Sequence, residues 1–107
     1  MKSKLPIPVQ QLRKDYPALW RSFEKLGEEC HGAGPLDERE RRIVKVGIAA
    51  AAQSEGAVHS AVRTARRAGV SAEKIRHAIL LTITTIGFPR AMAAWSWAED
   101  VLGKRGR

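Results

Sequence analysis

Residues 54–86 read SEGAVHSAVRTARRAGVSAEKIRHAILLTITTI, and their spacing predicts two helices joined by a glycine turn. In the first half Val58, Ala61, Val62, Ala65 and Ala68 recur at steps of three and four, which is one face of a helix. Ser54 is placed to cap the start of that helix, and Gly69 to stop it. In the second half Ile75, Ala78, Ile79, Thr82, Ile83 and Ile86 form another stripe, behind Ser71 as cap. Alanines within such stripes let helix axes approach closely. Two of them in succession seed an all-α bundle.

Working outward, Asp37 followed by Glu40 has the form of a capping box, opening a helix through ERERRIVKVGIAAAA. Glu40 falls in line with Ile43, Val44, Gly47 and Ala51, so its spacing places it at the head of that helix's apolar stripe. Upstream, His31-Gly32-Ala33-Gly34-Pro35 must be a loop. Before it QQLRKDYPALWRSFEKLGEEC predicts helix, with Leu19, Trp20, Phe23 and Leu26 at helical spacing. Pro17 marks either a kink or a fresh start capped by Asp15. Residues up to Pro8 are expected to be extended, because two X-Pro pairs disfavour helix. Downstream, Gly87-Phe88-Pro89 ends one helix and begins the last, PRAMAAWSWAEDVLG. Its Met92, Trp95, Trp97 and Val101 point in more than one direction. Either one side packs on the core with Met92 or Trp97 half exposed, or the excess is buried between subunits. The expectation is one all-α domain over residues 1–107, of five to six helices and oligomer-forming, with residues 1–8 and 103–107 as extended or frayed tails.

The composition agrees with one small core. A chain of 11.8 kDa buries about 65% of its unfolded surface on folding. Apolar residues at 44% and charged residues at 28% exclude a disordered chain. No apolar run approaches a membrane span, and MKSKLPIPVQ lacks the apolar centre of a secretion signal. With one cysteine, Cys30, no internal disulfide forms and a reducing cytoplasm is the default. The balance of 19 basic against 11 acidic residues, net +8, attracts anions without specifying which. Lys2, Lys4, Lys104, Arg105 and Arg107 contribute part of that charge from the tails. No helix-turn-helix cue or basic region with interleaved aromatics is present, so specific nucleic-acid binding is not expected.

No metal motif, phosphate loop, dinucleotide fingerprint or nucleophile elbow occurs, so neither metal nor cofactor is expected. The informative cluster is Glu40, Glu55 and His59. Glu55 and His59 lie four residues apart on one helix face and can touch. Arg63 and Arg66 continue that face near a helix N-terminus, where negative charge is favoured. A simpler account exists for each. Glu40 can be a capping acid, Glu55–His59 a surface pair, and the arginines a solvated face. His77 reads as structural or exposed, and Cys30 as a free structural thiol.

The stretch from Gly34 to Leu102, with GPLDERER, an alanine-rich helix, a histidine, AGVSAEKI and GFPRAMAA, resembles the carboxymuconolactone decarboxylase and alkylhydroperoxidase D family. The peroxidase branch carries the order E-x11-C-x2-C-x3-H. Here the glutamate and histidine fall on Glu40 and His59, while Ala52 and Glu55 stand at the two thiol positions. A dithiol cycle needs two sulfurs, so the resemblance implies the decarboxylase-type branch, which has a glutamate four residues before the histidine. It implies a cofactor-free lyase or isomerase acting on a small carboxylate or lactone. His59, Glu55 and Glu40 would be catalytic, Arg63 and Arg66 would hold carboxylates, and copies would assemble as trimers or hexamers. The alternatives are a hydroperoxidase relying on Cys30 and a non-catalytic oligomeric module for anionic partners.

Overall fold

The structure is a computed structural model that describes residues 5–103. Seven helices and no strand occur among these residues: α1 (Ile7–Asp15), α2 (Pro17–His31), α3 (Glu38–Ala51), α4 (Glu55–Arg67), α5 (Ala72–Leu81), α6 (Ile83–Ile86) and α7 (Phe88–Leu102). The chain divides into two compact units, Met1–Pro35 and Leu36–Arg107. The tail lysines and arginines at positions 2, 4, 104, 105 and 107 lie outside the described residues.

In the first unit the helix begins at Ile7, earlier than the two X-Pro pairs suggested, because Pro8 sits in the first turn, where its missing N–H costs nothing. Pro17 is a fresh start rather than a kink, with Tyr16 rather than Asp15 at the cap position. No residue of α1 or α2 is buried. Leu19, Phe23 and Leu26 are each more than half exposed, and the Trp20 ring lies against Phe23 with centroids 5.6 Å apart.

In the second unit α3, α4, α7 and α5 pack as a ring of four, each against the next, and α6 is a single turn carrying the chain from α5 to α7. The caps agree with the sequence. Asp37 and Glu40 close a full capping box, Ser54 accepts from the Ala57 N–H and Ser71 from the Lys74 N–H. Gly69 takes φ +93°, the left-handed turn that ends α4. Fully buried Val46, Ala50, Val58, Val62, Ile75, Ile79 and Ala94 form the core. The stripes of α4 and α5 face inward as their spacing predicts.

Helix α3 differs. Its buried residues are Val46, Ala49 and Ala50, whereas Val44 and Ala51 are exposed. The stripe that Glu40 heads lines instead an open groove of about 310 Å³ between α3 and α5–α6, walled by Ile43, Val44, Gly47, Ala51, Leu81 and Thr85. Val46, Ala49 and Ala50 are what α3 gives to the core, which leaves Ile43 and Val44 for this second face. In α7 the core side is Ala91, Ala94, Ala98 and Leu102, while Met92, Trp95, Trp97 and Val101 are half-buried. Polar contacts also hold the ring. The Arg76 guanidinium on α5 donates to both carboxylate oxygens of Glu99 on α7, at 2.6 and 3.0 Å. Gln53, in the α3–α4 turn with φ 55°, donates to the Ala50 and Arg90 carbonyls.

Candidate functional site

The Ser54 cap fixes where α4 begins, and so sets Glu55 in its first turn and His59 one turn on. His59 lies on the seam with α7. Its Nε2 is 2.8 Å from Oδ2 of Asp100, a residue 41 positions away in sequence. The imidazole is 24% exposed and the Asp100 carboxylate 56%. One oxygen of Glu55, a ring nitrogen of His59 and one oxygen of Asp100 lie within 4.8 Å of one another. The structure thus brings Glu55 and His59 together, as their i, i+4 spacing requires, and adds an acid that the sequence reading missed.

A signal for Asp100 exists in the sequence. Glu99 and Asp100 fall in the last turn of α7, which holds no basic residue. Acids there face the negative end of the helix dipole, so each calls for a cation or donor from elsewhere. Glu99 finds Arg76, and Asp100 finds His59.

Glu40 is not part of this cluster. Its Oε1 accepts from the Asp37 N–H at 2.9 Å, and its own N–H donates to Oδ1 of Asp37. Arg39 beside it donates to the Ala68 carbonyl at the end of α4. The start of α3 therefore lies by the end of α4. His59 is nine positions back from Ala68, about 13 Å along the axis. Glu40 is exposed, so the geometry fits the capping account of it. The arginines separate in the same way. Arg66 donates to the Val70 carbonyl at 3.1 Å, tying down the α4–α5 connection. Arg63, one turn beyond His59, is exposed and makes no hydrogen bond or ion pair to a described residue. His77 and Cys30 are exposed.

The set of two carboxylates and one imidazole has the donor types of a divalent-cation site. Two acids beside one imidazole are equally the groups of acid–base chemistry. The groove on the α3–α5 seam lies on the opposite side of the four-helix ring from His59 and is almost wholly apolar. It offers burial and no acid–base chemistry.

Residues 17–100 match the model of the carboxymuconolactone decarboxylase family. A search of curated proteins gave no match. Among solved structures, the chain is similar to apo-lpg0406, described as a carboxymuconolactone decarboxylase family protein from Legionella pneumophila, with TM-score 0.80 and 20% identity over 94% of this chain and 88% of that one. That likeness extends the shared fold across the helices described above. With a family match spanning most of the sequence, the chain belongs to the carboxymuconolactone decarboxylase family.

Proposed function

We propose that the protein is a cofactor-free lyase or isomerase that acts on a small carboxylate or lactone, with His59 as the acid–base group. The observation that carries this reading is the partly exposed His59 imidazole, hydrogen-bonded to Asp100 and grouped with Glu55, on a scaffold that has Ala52 and Glu55 at the thiol positions of the family's peroxidases. In a decarboxylation the C–C bond to the carboxyl group breaks and carbon dioxide leaves. The electron pair becomes an enolate, and a protonated His59 gives a proton to carbon. Glu55 supports that imidazole from the preceding turn. Arg63 is placed one turn further on to hold a substrate carboxylate, a task Arg66 is less free to share while bonded to Val70. Glu40 serves as a cap. A reducing cytoplasm suits the exposed Cys30, and none of the described helices is long and apolar enough to cross a membrane. A second copy of the chain covers the groove between α3 and α5–α6, whose wall residues Val44 and Leu81 are 46% and 62% exposed.

Carboxymuconolactone is the first substrate to offer, with its loss followed by ultraviolet absorbance and by released carbon dioxide. His59→Ala should lower turnover by ~10²–10⁴-fold, the usual contribution of a general acid or base, while helicity is retained. A His59→Ala protein with wild-type turnover refutes the assignment.

A further inference from the structure

We propose that Asp100 is a positioning residue for His59: it holds the Nε2–H edge of the imidazole against α7, so that Nδ1 is the nitrogen that exchanges a proton with substrate. This rests on the lyase reading and specifies the working atom of its acid–base group.

A carboxylate only accepts hydrogen bonds, so across the 2.8 Å contact the proton belongs to Nε2. That nitrogen is thereby committed. Serving substrate through it would break the bond to Asp100. Nδ1 makes no hydrogen bond to a described residue, and the side chain is open to solvent over about a quarter of its surface. Nδ1 is therefore the nitrogen with a free coordination direction. The proton balance follows. With both nitrogens protonated, the Nδ1 proton passes to the substrate carbon as the enolate collapses, and a neutral imidazole remains with its proton on Nε2, still bonded to Asp100. Water then returns a proton to Nδ1. The carboxylate fixes tautomer and ring orientation throughout and is not itself protonated, the role such a group has in acyl-transfer triads. A structural role is a poor competitor, because an ion pair whose carboxylate is 56% exposed adds little to stability.

The full chain labelled with ¹⁵N at histidine gives a readout that needs no substrate. His59, assigned through His59→Ala, should show a protonated Nε2 and a bare Nδ1 in its neutral form. Its Nε2 proton should be protected from exchange, and Asp100→Ala should erase that protection. With carboxymuconolactone, Asp100→Asn should lower kcat by ~10²-fold or more, with KM within about threefold. Asp100→Glu should recover activity to within about tenfold of wild type. A neutral wild-type His59 protonated at Nδ1, or a spectrum unchanged in Asp100→Ala, overturns the proposal. So does wild-type kcat in Asp100→Asn while His59→Ala is inactive, an outcome that leaves the lyase reading intact. Wild-type turnover in His59→Ala removes that reading and the substrate half of this one. The spectra decide the positioning half whether or not this lactone is turned over.

Discussion

Replacing Glu40 with alanine removes the acceptor of the Asp37 N–H and half of the capping box at the start of α3. The Asp37 cap itself survives, and loss of the one hydrogen bond costs about 0.5–1 kcal/mol, so the variant should melt slightly earlier than wild type and turn over substrate unchanged. Wild-type stability with lost activity would restore Glu40 to the active site. One position inside the same box, Glu38 is held below its ordinary carboxylate value of 4.5, first by the hydrogen bond from Arg42 and then by that from Arg41. A carboxylate lowered in the folded state adds stability that is fully present above 4.5 and fades as the pH falls through its folded value. Denaturant titrations should therefore show wild type ahead of Glu38→Gln at neutral pH, with the gap closing only on the acid side of 4.5. A gap that persists into acid would mean that the Arg41 and Arg42 bonds are not its source. At this scale the sequence shows local chemistry and hides distant chemistry. Asp37–Glu40 and Glu55–His59 are legible because helix geometry alone sets their distance. Asp100 reaches His59 only through the packing of α7 on α4, which no spacing rule encodes.

Helix ends follow the same division. Ser54, Ser71 and Asp37 announce their helices because each answers orphan N–H groups within three residues. The break at Thr82 between α5 and α6 is invisible in a run of isoleucines and threonines whose stripe continues across it. The inward face of α3 was misplaced by spacing because the helix carries two apolar stripes, Val46, Ala49 and Ala50 towards the core and Ile43, Val44, Gly47 and Ala51 along the groove. Gly69 is the element-scale position most exposed to substitution. Its φ of +93° is one that L-residues rarely adopt, and a Cβ there would stand 3.0 Å from the Arg39 guanidinium, which bonds Ala68 at the end of α4. Gly69→Ala should cost about 1–3 kcal/mol from backbone strain, read as a lower denaturation midpoint with unchanged slope. A neutral result would show that the α4–α5 turn relaxes without loss.

For the molecule as a whole, exposed apolar surface and net charge act in opposite directions. Val44, Ile48, Leu80, Leu81 and Phe88 are 44–62% exposed on the second unit, and Val44 and Leu81 among them wall a groove of about 310 Å³. Patches of this kind on an isolated chain mark a surface meant for another molecule, and a stable interface needs about 800 Å² per partner. A second copy would bring the same exposed apolar residues to such an interface. The opposing term is the net charge of +8 on each chain, a repulsion that salt screens. Association should therefore strengthen as salt rises, in contrast to a complex held by ion pairs. Light scattering on the eluting protein should give three or six times the chain mass of 11.8 kDa, with larger species favoured at higher ionic strength. Leu81→Glu places a charge on the groove wall at a residue 62% exposed in the single chain, so the fold has no cause to suffer. It should drop the mass towards that of one chain while the circular dichroism stays helical. A wild-type protein of 11.8 kDa at all salt concentrations would leave this apolar face without a partner of its own kind. A Leu81→Glu protein of unchanged mass would move the interface to another face.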